Sequence, residues 1–261
     1  MIEIRQKVVI ITGASSGIGL STARQLAANG ARLLLAARRE SRLQEICQEI
    51  QQAGGEAIYT VTDVSQETAV EQMVATCLTH YGRVDVLINN AGYGYALPLA
   101  NTPSTDFHNI MATNLYGSFY AARAVIPAMQ RQGNGHIIMV SSVAGKRVFR
   151  PEGGIYNVTK FAMQGLTEAL RMELATTPIK VSAICPVVTL TEFFDQVAAQ
   201  TGKKVVLQGP QQTADQVATA IVRLIRRPQA EVIMLPMTKL LLAINVFSPA
   251  LADWLVTRFV K

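Results

Sequence analysis

The sequence is short of the residues that metal sites and disulfides require. It holds three cysteines and three histidines in 261 residues. Cys47, Cys77 and Cys185 have no paired or metal-type spacing. His80, His108 and His136 are equally dispersed, so no metal site is expected. Unpaired cysteines read as small buried hydrophobes and fit a reducing, cytoplasmic location. Charge is also scarce, at 16% of residues, where about 25% is usual. The excess apolar surface calls for cover by a partner subunit, a bilayer or a ligand. No long Lys/Arg run occurs, only pairs such as Arg38-Arg39, Lys203-Lys204 and Arg226-Arg227. The formal net charge of +6 therefore points away from nucleic acid, and suits an anionic cofactor or an acidic membrane surface. The first residues, with Glu3 and Arg5, lack the apolar core and cleavage site of a signal peptide. Without repeats, low-complexity tracts or a linker, residues 1–261 read as a single domain.

What is present is a regular alternation. Val8-Val9-Ile10-Ile11 is a β-branched apolar run of the kind buried on both faces of a parallel sheet. Similar runs follow at 32–37, 57–61, 84–88, 136–140, 180–185 and 231–235. Segments of helical period lie between them, at 20–29, 40–52, 66–80, 107–130, 155–175 and 213–226. Strands alternating with helices predict an α/β fold, a doubly wound seven-stranded parallel sheet with helices on both faces. From Pro186 to about residue 212 the regularity fails, and this stretch reads as a substrate-binding loop. Residues 237–261 form an apolar extension that Pro249 splits into two short helices. Its Trp254 and flanking Lys239 and Arg258 suit a membrane interface, while Pro249 and Asp253 argue against a spanning helix. Packing on the chain's own domain or on a partner subunit fits the same residues.

The first strand runs into Thr12-Gly13-Ala14-Ser15-Ser16-Gly17-Ile18-Gly19 and then a helix. Glycines at this place allow a tight turn and let backbone amides approach a pyrophosphate. A plain turn is the other reading. After the second strand, many such folds carry an acid for the adenosine ribose 2′-hydroxyl. Here Ala37 is followed by Arg38 and Arg39. A guanidinium binds a 2′-phosphate by charge-assisted hydrogen bonds, which favours NADP(H) over NAD(H). Solvated helix-start arginines are the alternative. Asn89-Asn90 closes the fourth strand, either bracing neighbouring backbone or forming a turn.

Tyr156 and Lys160 are four apart in a helical segment and share a face. An ammonium beside a phenol favours the phenolate and lowers its pKa, which suits proton transfer. Alone, Tyr-x-x-x-Lys is a chance pattern in many helices.

In combination these residues resemble the short-chain dehydrogenase/reductases over about residues 6–235. The resemblance rests on Thr-Gly-x-x-x-Gly-Ile-Gly at 12–19, Asp63, Asn89-Asn90-Ala91-Gly92, Asn114, Ser142 and Tyr156-x-x-x-Lys160. It implies that Tyr156 is the general acid/base, with Lys160 lowering its pKa and holding the nicotinamide ribose. Ser142 would bind the substrate oxygen and Asn114 a water that links Lys160 to solvent. It implies cofactor contacts at Gly13, Ser15, Ser16, Gly17, Ile18 and Gly19, at Asp63 and Val64, at Asn90, Ala91 and Gly92, at Tyr156 and Lys160, and at Pro186, Val188, Thr189 and Thr191, beside Arg38 and Arg39. Val187 departs from the family, which usually has glycine after this proline. The activity implied is hydride transfer between nicotinamide and a carbonyl/alcohol substrate. A non-catalytic dinucleotide-binding sensor or scaffold is the other class. Tyr93, Tyr95, Val148, Phe149, Val188, Phe193 and Phe194 are expected to line an apolar pocket or to pack the loop. Small residues on the two long helices (Ala121, Ala122, Ala124, Gly165 and Ala169) point, with the family, to a homodimer or homotetramer.

Overall fold

Strands with no polar face must be covered on both sides, and the chain supplies a helix after nearly every one. A computed structural model describes residues 2–149, 153–201 and 209–259. In order these form β1 (Val8–Thr12), α1 (Gly17–Ala28), β2 (Arg32–Ala37), α2 (Glu40–Gln52), β3 (Glu56–Val61), α3 (Glu67–Tyr81) and β4 (Val86–Asn89). Then come α4 (Ser104–Met111), α5 (Gly117–Arg131), β5 (Gly135–Val140), α6 (Gly154–Glu173) and β6 (Ile179–Cys185). The last part holds β7 (Val188–Leu190), α7 (Phe193–Thr201), β8 (Gln211–Thr213), α8 (Ala214–Arg226), β9 (Glu231–Ile233), α9 (Pro236–Phe247) and α10 (Pro249–Phe259).

Seven strands form one parallel sheet in the order β3-β2-β1-β4-β5-β6-β9. Parallel neighbours need crossovers, which the helices provide. Alternate residues feed two cores, because successive side chains point to opposite faces. Val9, Ile11, Leu33 and Leu35 pack with Leu26, Leu43 and Ile221 on one side. Val8, Ile10, Leu34 and Ala36 pack with Val70, Met73, Val125 and Met163 on the other. Each such buried Val, Leu or Ile contributes about 1.5–3 kcal/mol. The strand order reverses between β1 and β4, which opens a crevice at their carboxyl ends.

Three stretches differ in detail from the sequence pattern. The fourth strand begins at Val86 rather than Val84; Asp85 before it donates its amide to the Val8 carbonyl at 2.9 Å, while its carboxylate accepts from the Val8 amide at 2.9 Å and pairs with Arg83. The long helix over 107–130 runs from Ser104 to Arg131, but its turn at Ala112–Tyr116 is a π-turn. The stretch expected to be irregular contains α7, and β7 and β8 pair in parallel, Val188 opposite Gln211. The tail is two helices divided before Pro249, as expected. Among the described residues no helix is long and apolar enough to cross a membrane.

Candidate active site

At the crevice the chain leaves β1 through Gly13, whose φ of +66° is open to glycine at no steric cost. Ser16 is the N-cap of α1, yet its hydroxyl makes no capping hydrogen bond. The first amides of α1 therefore face the crevice without a side-chain acceptor. Gly19 brings the helix down on the turn: a Cβ there would lie 2.3 Å from the Gly13 carbonyl oxygen and 2.7 Å from Asn90 Nδ2. Asn90 is a brace. Its Nδ2 donates to the carbonyls of Thr12 at 2.9 Å and Gly13 at 3.2 Å. In return Thr12 Oγ1 accepts from the amides of Asn90 and Ala91, both at 3.0 Å. The ends of β1 and β4 are thus locked at the reversal point.

The two arginines behind β2 have different surroundings. Arg39 pairs with Glu192 at 2.9 Å and donates to the Ser15 hydroxyl at 3.2 Å. Arg38 is exposed on the cavity rim and forms no ion pair among the described residues. Asp63 turns one carboxylate oxygen to the Ser65 amide at 3.0 Å and hydroxyl at 2.8 Å. Thr191 lies over Gly17, where an added Cβ would meet its methyl at 3.0 Å.

At the other end, Tyr156 and Lys160 rise one turn apart from α6. Lys160 is buried and donates to the Val140 carbonyl at 3.0 Å, with its ammonium 5.8 Å from the centre of the Tyr156 ring. Ser142 caps the turn at Val143–Gly145, accepting from the Ala144 amide at 3.1 Å, and hydrogen-bonds the Tyr156 phenol. Ser141 is turned away, accepting from Gln164 at 3.0 Å. Burial pushes Tyr156 up to about 12, against the opposing effect of Ser142. Burial also pushes Lys160 down to about 8. The sequence predicts a phenol lowered by its lysine; in this structure burial is the larger effect and Ser142 the one that opposes it. Asn114 is fully buried in the π-turn, gripping Tyr93 through its amide (3.0 Å) and carbonyl (3.0 Å) and donating to Thr159 Oγ1 at 3.1 Å. Thr159 Oγ1 in turn donates to the Tyr156 carbonyl at 2.8 Å.

One cavity of about 1370 Å³ joins both ends. Every candidate residue named from the sequence for the cofactor or the chemistry lines it, except Gly19 and Asn114, which stand behind its wall. The seven expected apolar wall residues line it too, and Tyr156, Phe193 and Phe194 stack in edge contacts at 5.4 Å and 5.2 Å. Val187 fits without a positive φ, its carbonyl accepting from Thr189 Oγ1 at 2.9 Å. Several contacts were hidden from sequence reasoning: Glu192 for Arg39, Thr12 for Asn90, and Arg147, which reaches Asn245 and Asp253. All join residues far apart in the chain, where local pattern gives no signal. Uncapped amides, close glycines and a long cavity fit a dinucleotide. A phenol, a hydroxyl and an ammonium on one wall can hold an oxygen and pass it a proton.

The sequence matches the family described as short chain dehydrogenase over residues 7–202. The chain belongs to this family, the short-chain dehydrogenase/reductases, and is an oxidoreductase with an NAD(P) dinucleotide as cofactor. It is 37% identical to an uncharacterized oxidoreductase of Listeria innocua over 231 residues, 87% of this chain and 93% of the relative. A short-chain dehydrogenase/reductase of Burkholderia phymatum, solved in complex with NAD, superposes with a TM-score of 0.87 at 28% identity, covering 96% of each chain. An alcohol dehydrogenase of Thermococcus sibiricus, complexed with 5-hydroxy-NADP, gives 0.78 at 31% identity, covering 88% of this chain and 96% of its own.

Proposed function

We propose that the protein interconverts a carbonyl and an alcohol on an apolar substrate, with NADP(H) preferred over NAD(H). The observation that carries this reading is the group Ser142, Tyr156 and Lys160 on the wall of the cavity that also holds the Gly13–Gly19 turn. The dinucleotide supplies or accepts the hydride. Tyr156, with its phenol near 12, is protonated at neutral pH and donates from Oη to the substrate oxygen during reduction. Ser142 donates to the same oxygen as negative charge grows there. Lys160, in its ammonium form, favours the phenolate that Tyr156 becomes. Asn114 acts through its neighbours: by holding Thr159 it positions the first turn of α6.

The cofactor preference rests on Ala37 and Arg38. No acid stands at the end of β2, and Arg38 lies on the rim without an ion pair among the described residues. Arg39 is the lesser candidate, being engaged by Glu192 and Ser15. The relatives were solved with NAD in one case and an NADP derivative in the other, so the choice falls to this chain's own residues. Residues 186–212 serve as the substrate loop. For assembly, Tyr116, Phe119, Phe161 and Met172 form exposed apolar positions on the α5/α6 side, where Gly165 and Ala169 also face outward while Ala121 and Ala122 face the sheet. A second copy on this side makes a homodimer or homotetramer; a light-scattering mass of one chain refutes it. The outward Leu240, Val246 and Phe247, with Lys239 nearby, suit peripheral contact with an anionic bilayer, which liposome co-sedimentation checks.

The central test is NADPH and NADH oxidation across a panel of apolar ketones and aldehydes. Turnover with NADPH that Tyr156→Phe abolishes supports the reading. Cofactor binding with no turnover across the panel overturns it in favour of a non-catalytic sensor.

A further inference from the structure

Residues 236–259 lie beyond the stretch matched to the family, which ends at 202. Their sequence is apolar, and their two helices pack on each other, with α9 also on β9. Thr238 and Val256 are buried, and Leu241, Val256 and Thr257 line the same cavity as Tyr156 and Phe193. The attachment to the catalytic loop is specific. Arg147, two residues past the turn that Ser142 caps, is 8% exposed and reaches Asn245 of α9 and Asp253 of α10 at once. A buried guanidinium is costly unless it is paired, so this bridge fixes both helices relative to Ser142. Asp253, itself mostly exposed, is held to the buried Arg147 at the mouth of the cavity.

The remaining chamber has its reactive polar groups at Ser142 and Tyr156 and apolar walls of Phe193, Leu241 and Val256, with Thr238, Asp253 and Thr257 as the polar members of the far side. The whole cavity, about 1370 Å³, exceeds the roughly 300–1,000 Å³ of ordinary ligand pockets. On the function proposed above, the dinucleotide would run from Gly13 and Asp63 to Lys160 and leave the space beyond Tyr156 to the substrate. We infer that α9 and α10 are the far wall of the substrate chamber, and that the substrate carries an extended unbranched apolar chain running from Tyr156 past Phe193 toward Leu241 and Val256. The reactive carbonyl at its near end rests on the function proposed above; the chamber itself does not. Leu241 and Val256 set chain length, and Arg147 is a positioning residue for that wall.

The test uses the full chain saturated with NADPH, with which an alcohol cannot react, and a series of straight-chain primary alcohols of about four to twelve carbons, with an expected gain of about fourfold in affinity per methylene until the chamber is full. Binding is followed by calorimetry and by the emission of Trp254, the one tryptophan of the sequence, which lies on α10. Turnover of the matching aldehydes with NADPH is measured in parallel. Leu241→Phe and Val256→Phe should each leave the shortest alcohol unchanged and weaken the longest by about tenfold or more, an effect on the order of two lost methylenes. Asp253→Asn should weaken long chains selectively. Leu241 is only half-buried, so its variant remains informative if Val256→Phe misfolds. A flat affinity series, or a long-to-short ratio unchanged by Leu241→Phe, overturns the inference even if short aldehydes are reduced. A rising series without aldehyde turnover upholds the chamber and counts against the proposed chemistry.

Discussion

Gly19→Ala puts two effects in opposition, and the geometry decides between them. Gly19 lies in the first turn of α1, where alanine has the better helix propensity by about 1 kcal/mol. The added methyl, however, would stand 2.3 Å from the Gly13 carbonyl oxygen and 2.7 Å from Asn90 Nδ2. Ordinary contact requires the turn and the helix to separate by about 1 Å. Neither neighbour yields easily, because Asn90 is itself bonded to Thr12 and Gly13. Overpacking of this kind costs about 1–3 kcal/mol, so the net loss of stability is about 0–2 kcal/mol. The larger effect falls on the cofactor. Displacing the α1 amides by about 1 Å removes at least one charge-assisted hydrogen bond, worth about 1.5–3 kcal/mol, or about tenfold to 100-fold in Kd. Gly165→Ala, where a Cβ meets nothing within 4 Å in one chain, should gain about 1 kcal/mol from propensity with NADPH affinity unchanged, and a loss of stability there would report on the proposed α5/α6 subunit contact. NADPH fluorescence titration and thermal melts measure both variants. If Gly19→Ala binds NADPH as the wild type does, the close approach of turn and helix has no part in holding the dinucleotide.

Tyr156→Phe should lower kcat by about 100-fold or more, as loss of a positioned general acid does, with little change in NADPH affinity; an unchanged kcat removes Tyr156 as the proton donor. Lys160→Ala should damage both. Arg38→Ala should weaken NADPH by about tenfold, on the scale of one hydrogen bond to a charged group, and leave NADH nearly unchanged, while equal losses reject the 2′-phosphate contact. His136 gives a pH dependence: burial, with Lys180 adding to it, pushes the imidazole from 6.5 down to about 4. Between those values the unfolded chain binds a proton that the folded protein refuses. Stability therefore falls as pH drops through that window, by up to about 3 kcal/mol. His136→Gln should flatten that part of a plot of urea midpoint against pH, and a slope equal to wild type refutes the assignment.

The features read correctly from the sequence are those whose signal lies in neighbouring residues. The glycine turn between β1 and α1 is a local pattern, and so is the four-residue spacing of Tyr156 and Lys160. Both emerge where their periods place them. The three-residue strands β7 and β8 are too short to show any period, and their pairing was invisible for that reason. Arg38 and Arg39 are adjacent and identical in type, yet one is committed to Glu192, 153 residues away, and the other is not. The effects of burial and of Ser142 on Tyr156 belong to the fold, whereas the lysine four residues on is visible in the chain. Ala121 and Ala122 are small, but only the fold reveals that they meet the sheet.

The π-turn at Ala112–Tyr116 makes Asn114 dependent on chain length as well as on residue identity. Such a turn accommodates one residue more than a regular helix. Losing any single residue of the five would let the rod rewind and swing its two halves by about 100° against each other. An asparagine would still be encoded, but Tyr93 and Thr159, its present partners, would no longer lie before it. Aligned by substitutions alone, such a shortened chain would seem intact at every site position. The gap, and where it is drawn, would be the only written trace of the lost grip.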